Sequence, residues 1–165
     1  MLGVVILIFV ILGTQDKTFP RLLEAVEKQI EKGNIKDKVI AQAGSTKFES
    51  DKMEIVDFMS VEEFNNNIEK ADIIITHAGV GTILTALNKN KKIIAAARLK
   101  KYGEHVNDHQ LQIVEKFSDE GYVLPLEDFD RLDEIIKKAK EFKPNKFVSN
   151  KQNFLDNIKR EIDES

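Results

Sequence analysis

The sequence of 165 residues has no cysteine and no tryptophan. Without thiols there are no disulfides and no thiolate metal sites, which fits a reducing compartment. An excess of positive charge is also missing: 25 Lys and Arg stand against 28 Asp and Glu, a formal net charge of -3. That balance argues against a nucleic-acid binder working by phosphate neutralisation. No linker, repeat or low-complexity tract breaks the chain, and its length suits one domain with a real core. The apolar opening "MLGVVILIFVIL" would extend only roughly 18 Å as a helix, short of the ~30 Å hydrocarbon core. No Lys or Arg precedes Lys17 and no small-residue cleavage pattern follows, so a signal peptide is poorly supported. Its Val and Ile content suits a central parallel strand covered on both faces. The chain reads as soluble, with a surface contact of its first few residues with a membrane left open.

What is present alternates between strand and helix patterns. A loop "GTQDKTFP" leads from the first strand to a helix carrying Phe19, Leu22, Leu23, Val26 and Ile30, with Pro20 at its start and Gly33 beyond its end. "KVIAQA" (Lys38–Ala43) and "MEIVDF" (Met53–Phe58) read as short strands. Ser60 and Glu63 form a capping box, and Met59 with Phe64 a hydrophobic staple, for a brief helix through Ile68. "DIIITH" and "KKIIAAAR" are two further strands, each followed by a loop and a helix. "YVLPL" reads as a last short strand, and Leu132, Ile135, Ile136 and Ala139 mark a helix that Pro144 closes off. This order predicts an α/β fold: a Rossmann-like open parallel sheet with helices on both faces. One domain is expected over residues 1–148, and an amphipathic helix bearing Phe154, Leu155, Ile158 and Ile162 over 149–165. That helix either docks on its own domain or crosses to another chain.

Open α/β sheets bind ligands beyond the carboxyl ends of their strands, and three loops there have a suitable composition. They are "GTQ" (Gly13, Thr14, Gln15), "HAGVGT" (His77–Thr82) and "RLKKYGEHVNDHQ" (Arg98–Gln110). All 3 histidines, His77, His105 and His109, fall in the last two. A helix starting near Val80 presents unpaired N–H groups and the positive end of its dipole. Glycines at 79 and 81 would let phosphate oxygens approach, Thr82 could add a hydroxyl, and Gly13 and Thr14 could close the cradle. A tight strand-to-helix turn with a capping His is the plainer alternative. Asn107, Asp108, His109 and Gln110 crowd four polar side chains at a helix start, and Asp with Gln matches the needs of vicinal sugar hydroxyls. Here too there are plainer alternatives: an N-cap at Asn107 or Asp108, or a metal pair of His105 and His109 at i, i+4, which lacks a third ligand beyond Glu104 or Asp108. The Asp128-Phe129-Asp130 triplet precedes a helix and reads as capping. Of the basic residues around the fifth strand most form a solvated rim, though Arg98 or Lys100 could face the phosphates.

In "GTQDKTFPRLL", "ITHAGVGTIL" and "EHVNDHQLQIVEKF" the sequence resembles the donor-binding, C-terminal half of GT-B glycosyltransferases of the lipid-II transferase superfamily. It resembles in particular their short, separately encoded subunits, of the PssE type and of the dolichol-linked N-acetylglucosaminyltransferase catalytic-subunit type. The resemblance implies half of a GT-B fold that takes a hexose or N-acetylhexosamine from a UDP-sugar to a lipid-linked acceptor, with inversion and without a bound metal or other cofactor. It implies a membrane-anchored partner that supplies the acceptor domain and the general base, so no catalytic base is assigned here. The expected location is cytoplasmic, at the membrane through that partner, and the amphipathic tail would pack on it. By position Gly13, Thr14 and Gln15 would line the phosphate or sugar side, His77, Gly79, Gly81 and Thr82 would hold the diphosphate, and Asp108 and Gln110 the sugar hydroxyls, with Asn107 a further candidate for nucleotide-sugar binding. One departure stands out: where relatives carry a Glu eight residues after the motif His, to accept both ribose hydroxyls, this chain has Thr85. Glu104 is the nearest compensating acid in kind. Failing compensation, either the donor differs or the chain is a non-catalytic donor-domain relic that enhances or tethers a partner transferase. An unrelated nucleotide-binding module is a third reading, in which the polar loop 107–110 has no purpose.

Overall fold

The computed structural model describes residues 6–13, 17–105, 107–147, 154, 156 and 158–160. Six parallel strands form one sheet in the order β3-β2-β1-β4-β5-β6. They are β1 (Leu7–Ile11), β2 (Lys38–Gln42), β3 (Glu54–Val56), β4 (Ile73–His77), β5 (Lys92–Ala96) and β6 (Leu124–Pro125). The helices are α1 (Pro20–Glu31), α2 (Val61–Lys70), α3 (Val80–Asn88), α4 (His109–Asp119) and α5 (Leu132–Glu141). The expected Rossmann-like architecture is therefore the observed one.

The strands are near-continuous apolar runs because both faces are covered. Alternate side chains of β1 separate two cores. Ile8, Val10 and Leu12 join Phe19, Leu22, Leu23 and Val26 around α1 and Leu132, Ile136 and Ala139 of α5. Phe9 and Ile11 turn the other way, to Ile68 of α2, Ile83, Ala86 and Leu87 of α3, and Ile113, Val114 and Phe117 of α4. The period of two along the strand thus assigns α1 and α5 to one face and α2, α3 and α4 to the other.

Local signals set the helix ends. Pro20 occupies the first turn of α1, where its missing N–H is no loss. Ser60 Oγ accepts from Glu63 N at 3.1 Å, capping α2. Met59 and Phe64 pack against the same core cluster. Asp128 accepts from Asp130 N at 3.0 Å and caps the 3₁₀ turn Phe129–Arg131, the capping role expected of that triplet.

Of the C-terminal segment, Phe154 meets Phe117 at 5.1 Å and Tyr122 at 5.5 Å between ring centroids. Ile158, in the same helical stretch, is 2% exposed within the α2–α4 core. These two tail residues pack on their own domain; Leu155 and Ile162 lie outside the described residues. Truncating a fully buried aliphatic side chain leaves a cavity. Ile158→Ala is therefore expected to cost the domain about 2–4 kcal/mol, read as a lower urea midpoint at unchanged slope. An unchanged midpoint would detach the tail from this core.

Candidate active site: the crevice between β1 and β4

A cleft of about 640 Å³ opens at the carboxyl ends of the central strands. The end of β1 (Ile11, Leu12, Gly13), the segment His77–Thr82 and residues Arg98, His105, His109, Gln110 and Ile113 line it. Gln42, Met59, Val61 and Phe64 complete the wall from the β2 and β3 side. One half is apolar and the other carries nitrogen donors. No Asp or Glu is among the described lining residues.

His77 ends β4 and is 8% exposed. A Cβ placed on Gly13 would lie 2.8 Å from His77 Nε2, and one on Gly79 would fall on its Cε1. These two glycines make room for an imidazole of the protein itself. Gly81 differs: nothing lies within 4 Å of where its Cβ would stand, so its missing side chain leaves open space at the helix start. That start has no side-chain cap: Gly79 is the N-cap residue of α3, and Val80, Gly81 and Thr82 of its first turn line the cleft. Uncapped N–H groups and the positive end of a helix favour an anion.

Arg98, just past β5, is 2% exposed and lines the same cleft. Its Nη2 donates to Lys17 O at 3.2 Å and its guanidinium lies 5.6 Å over the Phe19 ring. Among the described residues no carboxylate forms an ion pair with it. Burial lowers its pKa from the ordinary value, and Glu104 pulls the other way; a guanidinium stays charged regardless. His77 Nδ1, Arg98 Nε and His109 Nδ1 are buried without a hydrogen-bond partner among the described residues. All three side chains line the cleft.

The predicted residues divide. Gly13, His77, Gly79, Gly81, Thr82 and Gln110 come together on the cleft. Gln110 Oε1 accepts from Arg98 N at 2.8 Å, which leaves its amide nitrogen to donate. Asp108, Asn107, Thr85 and Glu104 are not among the lining residues. Asp108 accepts from Lys100 N at 2.8 Å and Asn107 from His109 N at 3.0 Å, so both brace the loop that starts α4. Thr85 donates to Gly81 O at 2.9 Å, within its own helix. Glu104 is held by Arg21 rather than offered as a substitute for the missing acid. Thr14 and Gln15 lie outside the described residues. Of the two basic candidates Arg98 lines the cleft and Lys100 does not. In the apolar wall of Met59, Val61 and Phe64, the sequence marks Met59 and Phe64 only as a helix staple and Val61 not at all. The signal for it lay in strand order, because β2 borders β1. Among the described residues no three His, Asp or Glu side chains gather as a metal-ligand set.

A family model for the glycosyltransferase family 28 C-terminal domain matches residues 7–164. The chain belongs to that family. Among curated relatives of this family 28 domain, the Candida albicans UDP-N-acetylglucosamine transferase subunit ALG13 is 34% identical over 77 residues, 47% of this chain and 25% of that protein. The Saccharomyces cerevisiae protein of the same name is 40% identical over 53 residues, 32% of this chain and 24% of its own length. The matched stretches thus span about a quarter of these relatives. An NMR structure of ALG13 overlays with a TM-score of 0.58 at 22% identity, over 91% of this chain and 93% of that one. The calicheamicin glycosyltransferase CalG4 overlays with a TM-score of 0.60 at 13% identity, over 95% of this chain but 38% of that one. The fold of the family 28 domain is accordingly one lobe of a GT-B glycosyltransferase. No helix among the described residues is long and apolar enough to cross a membrane.

Desolvation, then the nearby Arg98 and His105, push the His77 pKa down from 6.5 to about 3. The folded imidazole therefore stays neutral while the unfolded one takes a proton between those two values, so the unfolded state binds more protons in that window. The resulting stabilisation is complete above the ordinary value and is lost as pH falls towards about 3. His77→Gln removes this dependence. Wild type should lose stability relative to the variant by up to about 1.4 kcal/mol per pH unit on acidification, measured by urea unfolding across the range. A gap independent of pH would mean His77 is not held neutral.

Proposed function

We propose that this chain is the donor-binding catalytic subunit of an inverting glycosyltransferase that uses a UDP-linked hexose or N-acetylhexosamine. One observation carries the reading: an uncapped helix N-terminus and a buried guanidinium that pairs with no carboxylate among the described residues meet in a single cleft at the switch point of the sheet. Both are suited to a diphosphate. In the reaction an acceptor hydroxyl attacks the anomeric carbon, the bond from that carbon to the diphosphate oxygen breaks, and UDP leaves. The charge growing on the departing oxygen is what the α3 amides and Arg98 are placed to stabilise. Gln110, through its free amide nitrogen, is assigned to a sugar hydroxyl. The positive charge comes from the protein, so the mechanism calls for no bound metal. The general base is assigned to a membrane-anchored partner that holds the lipid-linked acceptor and keeps this chain at the cytoplasmic membrane surface, in polysaccharide or glycan assembly. The names of the ALG13 relatives, each a transferase subunit, support the sugar class and the need for a second subunit.

The test is a titration of the chain with UDP and UDP-N-acetylglucosamine, followed by amide chemical shifts. Saturable shifts at Gly79, Gly81 and Gln110 at sub-millimolar ligand are expected. Arg98→Gln should weaken both ligands about tenfold or more, the worth of one charge-assisted hydrogen bond. Absence of shifts at several-fold higher ligand overturns donor binding and favours the relic reading.

Thr85 is the observation behind that second reading, since its hydroxyl bonds its own helix at Gly81 O. Thr85→Glu places a carboxylate where the resemblance puts the ribose acceptor. It should tighten UDP by about 1.5–3 kcal/mol, measured as the ratio of dissociation constants. Unchanged affinity would put the ribose elsewhere.

A further inference from the structure

Arg21, in the first turn of α1, does not line the cleft, yet it is tied to the cation that does. Its Nε donates to Glu104 Oε2 and its Nη2 to Glu104 Oε1, each at 2.9 Å. Nη2 also reaches Ala97 O at 3.4 Å, the residue before Arg98. Glu104 Oε1 accepts in addition from Leu99 N at 3.0 Å, the residue after Arg98. One carboxylate and one guanidinium therefore bracket the backbone that presents Arg98. The two guanidinium groups share a ring: Arg21 lies 5.5 Å and Arg98 5.6 Å from the Phe19 centroid. Arg21 is further sandwiched by Phe129 at 3.9 Å and Tyr102 at 4.2 Å.

Two cations and one buried acid set up a competition. Glu104 is 5% exposed, and a buried carboxylate seeks the best available cation because its desolvation is otherwise uncompensated. Arg98 is a candidate, buried, with a carbonyl as its acceptor and an Nε that has no hydrogen-bond partner among the described residues. The two-pronged fork from Arg21 occupies both carboxylate oxygens instead, the geometry in which a guanidinium grips a carboxylate best. We propose that Arg21 is a positioning residue that clamps Glu104 away from Arg98, keeping the Arg98 guanidinium free for the diphosphate of the donor. The proposal rests on the donor-site reading above. It assigns Glu104 the part of a carboxylate that must be sequestered, in place of the nucleotide contact the sequence suggested.

The experiment is an amide-shift titration of the whole chain with inorganic pyrophosphate and with UDP, for wild type, Arg21→Gln, Glu104→Gln and the double variant. Arg21→Gln is expected to weaken both probes about tenfold, because Glu104 is released to Arg98. Glu104→Gln should bind at least as tightly as wild type, and the double variant should recover most of what Arg21→Gln loses. A merely structural clasp gives another pattern: Glu104→Gln weakens binding and the double variant is as poor as Arg21→Gln, which overturns the proposal. So does unaltered binding in Arg21→Gln. If Arg21→Gln does not fold, Arg21→Lys keeps the charge without the fork and carries the same test: weakened binding restored by Glu104→Gln supports the proposal, and unrestored binding overturns it. A wild-type chain that binds neither probe overturns the donor-site reading and this proposal together, whereas a binding wild type with the wrong variant pattern overturns this proposal alone.

Discussion

β1 and β4 are hydrogen-bonded neighbours whose outgoing chains leave on opposite faces of the sheet, β1 towards α1 and β4 towards α3. No helix can close over the point where they part, so a crevice is fixed there by topology before any side chain is chosen. Burial on both faces holds the two strands in register, with Thr76 Oγ donating to Ile11 O at 3.1 Å as an added tie at the crevice edge. The loops that leave β1, β4 and β5 then have one place to meet. Their composition decides what the crevice is for.

Charge in that crevice is arranged by exclusion as much as by attraction. Acidic side chains abound in the sequence, 28 in all, yet the two described ones in the loop between β5 and α4 are engaged elsewhere. Glu104 answers Arg21 and Leu99 N, and Asp108 answers Lys100 N. The lysines flanking β5 are similarly turned outward, Lys89 and Lys91 to Glu69 and Lys92 to Lys140 O. Among the described lining residues the one fixed positive charge is Arg98, beside the first turn of α3. In a partly desolvated site such a charge acts on an anion far more strongly than it would at the surface.

The fold was legible in the sequence because its cause is local: strand and helix periods, a proline and a serine at helix starts, and the right-handed crossover rule leave little freedom. The glycine-bearing loop at the cleft was legible for the same reason, since "HAGVGT" joins a strand to a helix. Yet the reason for its glycines was half misread. Gly79, like Gly13, serves the bulk of the His77 ring, and only Gly81 leaves space for something outside the protein. The partners of Glu104 were not legible. Arg21 is 83 residues away in sequence, and nothing in the spacing of the loop says that its acid turns from the cleft. Nor could the wall of Met59, Val61 and Phe64 be seen without the strand order that sets β2 beside β1. Long-range pairings escape a reading that works from neighbours along the chain.

Of the imidazole and guanidinium groups that line the crevice those of His77 and Arg98 are buried, and their chemistry divides the work. An imidazole pressed between two glycines is easily kept neutral, because losing a proton near its ordinary pKa costs little compared with burying a cation. His77 can therefore be packed tightly and still offer one donor or acceptor. A guanidinium has no accessible neutral form, so the burial that silences His77 leaves Arg98 charged. The attraction for an anion consequently rests on the group whose charge does not vary across physiological pH, while the titratable group sets shape. Histidine alone, desolvated in the same way, would bring no charge to the crevice.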